Sequence, residues 1–137
     1  MFEQITPTNK ALILVNVGIF LLQYLLGGYV EYLFALWPPE LPYFKPWLLL
    51  TYGFLHGGFT HLFFNMFALF MFGSEIERVF GSKRYLIYYL LCVVGAAAMH
   101  IIVVSQAGLP PAPTVGASGA VFGLLLAFGM AYPKRMI

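Results

Sequence analysis

Three stretches of this chain carry no Asp, Glu, Lys or Arg: Ala11–Val30, Pro46–Ser74 and Tyr85–Pro133. Each is too long and too apolar to be covered by water-facing side chains, so the chain must fold with a bilayer as part of its solvent. Only 9% of its residues are charged, against about 25% in a soluble domain, and its mean hydropathy is +0.87. The third stretch is too long for one crossing, and Gly108-Leu109-Pro110-Pro111-Ala112-Pro113 interrupts it, because proline lacks an amide donor and clashes with the preceding turn. Four crossings follow, expected at about 10–29, 60–80, 84–104 and 117–132, with a long first loop over 30–59. The fourth is the most marginal against the roughly 17–25 apolar residues a crossing needs. The expected fold is an all-α membrane protein, a polytopic helical bundle in one domain. Ala11–Val30 is longer than a signal-peptide core and lacks a small-x-small cleavage site, so it reads as a retained first helix.

Charge placement sets the orientation. Lys10, Arg78, Lys83, Arg84, Lys134 and Arg135 fall on one side of the four crossings and only Lys45 on the other. By the positive-inside rule the N-terminus and the 82–84 loop are cytoplasmic, and the expected location is a bacterial inner membrane. The net charge of +2 then reflects topology, and no nucleic-acid partner is implied. Cys92 is the single cysteine, which rules out a disulfide within the chain and reads as a buried apolar thiol. The three histidines, His56, His61 and His100, lack a ligand spacing with acidic or cysteine partners, so neither metal nor cofactor is expected.

Along the chain, Thr8 or Asn9 is available to cap the first helix, and Asn16 and Gln23 share one face from which hydrogen bonds can tie it to a neighbour. The connector Tyr29–Trp47 holds four prolines and seven aromatics, a composition suited to the bilayer interface. Gly57-Gly58 reads as a turn, with Thr60 capping the next helix. His61 and Asn65 follow, four apart and on one face. Two hydrogen-bonding side chains inside a membrane span either tie helices together or serve chemistry, and the pair alone fits both. Glu77 reads as a hydrogen-bond acceptor at the inner end of the second crossing, and Gly81 as a helix-stopping glycine. Gly95-Ala96-Ala97-Ala98 offers a small-residue packing face, and His100 a packing or loop-facing histidine. Ser118 stands between Gly116 and Gly119 where the proline-rich loop becomes helix. A serine there sits beside free amides and the positive end of the helix dipole, which suits either an N-cap or a group whose reaction partner develops negative charge.

Three spaced patterns stand together: His61-x-x-x-Asn65, Gly73-x-x-x-Glu77-x-x-x-Gly81 and Gly116-x-Ser118-Gly119-x-x-x-Gly123. In order, spacing and membrane depth they resemble the rhomboid family of intramembrane serine proteases, from about Trp47 to Tyr132. The resemblance implies a six-helix fold of which this chain holds the first four. Ser118 is then the nucleophile, with His61 and Asn65 as side-chain donors of an oxyanion hole and the Ser118 amide as a third. Gly119 and Gly123 are implied to let this helix approach the one bearing the catalytic histidine, and Phe122 to stack on that histidine. His56 would support structure and waters at the mouth of the second crossing, Glu77 and Gly81 the cytoplasmic end, and Trp47 the loop that dips into the membrane. The implied partners are the lipid bilayer and transmembrane protein substrates, cleaved near the outer face.

Two positions depart from that pattern. Leu48 follows Trp47 where the family usually has arginine, and no residue here matches the family's general-base histidine on its sixth crossing. The expectation is therefore the N-terminal portion of a protease whose base lies downstream, this chain alone being inactive. The competing readings are a catalytically inactive relative that binds transmembrane clients, and a small channel or scaffold. The channel reading lacks a ring of charged or repeated polar residues to line a pore.

Overall fold

The computed structural model describes residues 5–108, 112–116 and 118–131, the side chains of Ser118 and Ala131 excepted. The run Pro133-Lys134-Arg135, expected to close the fourth crossing, lies outside the described residues. Six helices account for most of the rest: α1 (Pro7–Leu25), α2 (Tyr29–Phe34), α3 (Leu48–Thr51, continued by a 3₁₀ turn at Tyr52–Phe54), α4 (Phe59–Phe80), α5 (Ser82–Ala107) and α6 (Ser118–Ala131). No strand is present among the described residues, so the polytopic helical fold holds.

Helices α1, α4 and α5 are long and apolar enough to cross a membrane. With its 14 described residues, α6 rises only about 21 Å, short of the roughly 30 Å hydrocarbon core. It starts late because the chain before it is committed elsewhere: Gly116 takes a φ of 133° and spends its amide on the Tyr52 carbonyl at 3.1 Å.

The first helix differs from expectation at both ends. Pro7 occupies its first turn, where a missing amide costs nothing, and Gly27 with φ 63° ends the run before residue 29. Neither Thr8 nor Asn9 caps it. The Glu77 carboxylate, from α4, accepts the Thr8 and Asn9 amides at 3.1 and 2.8 Å, and also the Ser82 hydroxyl at 2.6 Å. An acid on a neighbouring helix thus satisfies two orphan donors at the positive end of α1. The Asn9 side chain is fully buried and works as a hub. Its amide donates to the Leu69 carbonyl and the Ser74 hydroxyl, and its Oδ1 accepts from the Tyr85 hydroxyl at 2.6 Å.

That hub explains a local irregularity. Between Leu69 and Gly73 helix α4 widens into a π-turn, which releases the Leu69 carbonyl for Asn9. Gly73 is required there, because a Cβ would fall on Asn9 Oδ1 and within 2.6 Å of the Tyr85 hydroxyl. Gly81, at φ 87°, ends α4 with its amide on the Glu77 carbonyl at 2.7 Å, the stop read from the sequence.

Tyr85, Tyr89, Val93 and Ala97 recur every fourth residue on the buried face of α5. They meet Leu48, Leu69, Ile76, Leu124 and Phe128 in one core. Opposite the core, Phe59, Phe63 and Phe67 form an exposed stacked stripe along α4.

Candidate active site

The inward face of α4 carries Leu62, Asn65, Met66 and Leu69, all buried, with His61 half-buried one turn above Asn65. Thr60 does not cap this helix as expected. Gly58 does, at φ −176°, an extended conformation that lets the chain turn straight into the helix. The Asn65 amide nitrogen is buried and has no hydrogen-bond partner among the described residues. A buried donor left open costs about 1–3 kcal/mol. Helix α4 packs against both α1 and α6.

Just before α4, His56 is 1% exposed. Its backbone is held from α1: Gln23 donates to the His56 carbonyl at 2.8 Å and accepts the His56 amide at 2.9 Å. Gln23 therefore ties helices as its position suggested. Asn16 instead turns its amide back on its own helix, to the Leu12 carbonyl at 2.7 Å. The His56 ring meets the His61 ring edge-on, with centroids 5.3 Å apart, and both its nitrogens are buried without a partner among the described residues. Burial first, then the neighbouring His61, lowers its pKa to about 4, so the ring is neutral at physiological pH.

The loop leading to Ser118 is fixed from three sides. Thr114 pairs with Leu36 of the first loop in an isolated antiparallel bridge, with N–H to O distances of 2.8 and 3.0 Å. Gly116 is held on the Tyr52 carbonyl. The Thr114 hydroxyl stands 3.0 Å from His100 Nε2, which makes His100 a loop-facing histidine. Tyr52 anchors this arrangement to the core, its hydroxyl donating to the Val93 carbonyl at 2.8 Å. Burial pushes that phenol up to about 12, so it stays a donor. Val115 lies beside Gly57, which brings the serine loop against the segment that carries His56.

Ser118 is the first residue of α6, and its side chain lies outside the described residues. Gly119 and Gly123 do provide close approach, and the helix they approach is α5. A Cβ on Gly119 would fall on the Ala96 side chain, and one on Gly123 on the Cys92 sulfur. The Tyr88 hydroxyl adds a 2.6 Å bond to the Gly123 carbonyl. Within the Gly95–Ala98 run, Ala96 and Ala97 do the packing and Gly95 faces open space. Phe122 is 69% exposed and stacks on no described ring. Trp47 is exposed and precedes α3, while Leu48, at the position where arginine was expected, is fully buried in the core. Glu77 and Gly81 lie at the other end of α4 and belong to the α1 junction, apart from the serine loop.

The structure thus brings α4, the His56 segment and the start of α6 together. It also adds Tyr52, Leu36 and Thr114, which sequence reasoning missed. Two of the contacts that hold the loop use backbone atoms of Leu36 and Tyr52, and those leave no mark on residue type. Among the described residues no group of three or more His, Cys, Asp or Glu side chains stands close enough to hold a metal ion.

Residues 43–136 match the rhomboid domain family. Among similar proteins, the rhomboid protease GluP of Bacillus subtilis (strain 168) is 42% identical over 80 residues, 58% of this chain and 14% of its own length. RHOMBOID-like protein 4 of Arabidopsis thaliana is 43% identical over 79 residues, 58% of this chain and 19% of its own. Rhomboid-like protein 15 of the same plant is 30% identical over 131 residues, covering 88% of this chain and 32% of that protein. The chain therefore spans a third or less of the length of these relatives.

Proposed function

Because the chain belongs to the rhomboid family of integral membrane proteins, we propose that the full protein is an intramembrane serine endopeptidase. It cuts transmembrane segments of other membrane proteins near the outer face of what we take to be a bacterial inner membrane. Ser118 is the nucleophile, and His61, Asn65 and the Ser118 amide form the oxyanion hole. The general base is a histidine outside these 137 residues.

One observation carries this reading: the amide nitrogen of Asn65, buried and without a partner among the described residues, on a helix that packs against α6. An oxyanion hole needs donors that are aimed and unspent before charge develops. A helix tie would already be made. The position of Ser118 adds to it, since the first turn of a helix offers free amides and a positive dipole end to a developing oxyanion. The base on the missing segment would take the hydroxyl proton during attack on the carbonyl and return it to the leaving amine. Gly119 and Gly123 keep α6 rigid against α5, so that the nucleophile is held still.

The test is labelling of the full-length protein in membranes with a fluorophosphonate. Labelling is expected on Ser118 and lost in Ser118→Ala. Label retained by the alanine variant would remove Ser118 as nucleophile. A wild-type protein that takes no label but co-purifies with transmembrane clients would point to the inactive, client-binding reading instead.

A further inference from the structure

The hold on the chain around Ser118 traces back to one stripe of α5. Val93, Ala96 and His100 fall three and four residues apart, so they line one face of that helix. Each reaches the chain near the serine. The Val93 carbonyl accepts the Tyr52 hydroxyl, and the Tyr52 carbonyl in turn accepts the Gly116 amide at 3.1 Å. Ala96 fills the space beside Gly119. His100 Nε2 stands 3.0 Å from the Thr114 hydroxyl. Thr114 and Gly116 precede Ser118 and Gly119 follows it, so α5 grips the chain on both sides of the serine.

These holds differ in what they fix. The close approach at Gly119 sets the distance between α5 and α6 but has no directional bond to stop one turning on the other. Gly116, at φ 133°, sits where a glycine backbone moves with little steric cost. The Leu36–Thr114 bridge is a single isolated pair, which leaves rotation about its own axis free. The His100 contact reaches Thr114 from a different element than Leu36 does, and so closes that rotation. On the reading that Ser118 is the nucleophile, we infer that Thr114 and His100 are positioning residues, whose contact sets the angle at which the chain presents the serine. Attack needs the reacting atoms about 3–3.5 Å apart and aligned, and a misplacement of about 1 Å can cost on the order of 10²-fold. Thr114 stands only four residues before Ser118, so a turn of the chain there is passed on to the serine. The fold itself depends little on this contact. Both side chains are half-buried, so breaking it leaves neither shut away from water.

The experiment follows the rate of fluorophosphonate labelling of the full-length protein in membranes as probe concentration is raised. Thr114→Val keeps the size of the side chain and removes its hydroxyl. Its maximal labelling rate should fall by about 10–10²-fold, with the half-saturating probe concentration and the melting temperature unchanged. Thr114→Ser, which keeps the hydroxyl, should recover most of that rate. His100→Phe should show a similar fall, and the double variant should lose no more than either single one, because both changes remove the same contact. Losses that multiply in the double variant would overturn the pairing. Thr114→Val protein that labels at the wild-type rate, or that slows only in step with its melting temperature, would overturn the positioning role and leave Ser118 as nucleophile. Should Thr114→Val not fold, His100→Phe carries the same comparison, and failure of both to fold would make the contact a support of the fold alone. A wild-type protein that takes no label on Ser118 would instead remove the nucleophile reading, and the positioning role with it.

Discussion

Asn65 and His56 are both buried polar side chains, and they answer different questions. The Asn65 amide nitrogen has no partner to lose among the described residues, so Asn65→Ala should leave the melting temperature in detergent nearly unchanged. Cleavage of a transmembrane substrate by the full-length variant should nevertheless fall about 10²–10³-fold, the usual cost of one oxyanion donor. Matching losses of stability and rate would return Asn65 to the role of a helix tie. His56 sets a pH dependence instead. Its ring is held neutral, with a folded pKa of about 4 against about 6.5 when exposed, so the unfolded chain binds the proton more readily. Stability is then full above pH 6.5 and is lost as pH falls from there towards 4. Melting followed between pH 7.5 and 4 should show that decline, and His56→Phe should flatten it. A wild-type melting temperature that stays level across the window would contradict the burial of this ring.

Helices α5 and α6 are joined through small residues, and the sequence made that legible: Gly119, Gly123 and the Gly95–Ala98 run are visible as small-residue spacing in an apolar background. The spacing did not reveal which small residue meets which. Ala96 receives Gly119, whereas Gly95 faces open space. Gly119→Val should therefore destabilise by about 1–3 kcal/mol through overpacking, while Gly95→Ala should be close to neutral. Reversible unfolding in mixed micelles would separate the two. The long crossings were legible because twenty apolar residues can do little else. The π-turn in α4 was not, since its cause, Asn9, lies some sixty positions away and reads locally as a cap. The short helices α2 and α3 were hidden for a related reason. A proline-rich, aromatic loop shows only that it lies at the interface, and its folding is decided by Trp37, Tyr43 and Tyr52 finding neighbours.

Across the whole molecule, composition and motif spacing carried the bundle and the candidate residues, and they did so because those features reside in side chains. The framework around Ser118 does not. It rests on carbonyls of Leu36 and Tyr52, which any residue could have supplied. The pairing of Leu36 with Thr114, and of Tyr52 with Gly116, also sets an order in time. Both partners in the first loop are synthesised long before the segment that needs them, and contacts so distant in sequence form slowly. While the first three long helices are being inserted, the loop waits with its bridge unmade. The backbone that precedes Ser118 takes up its bend only once Thr114 and Gly116 have emerged and docked. A nascent or half-inserted chain thus lacks the bend that leads into α6, and that part of the fold is completed last among the described residues.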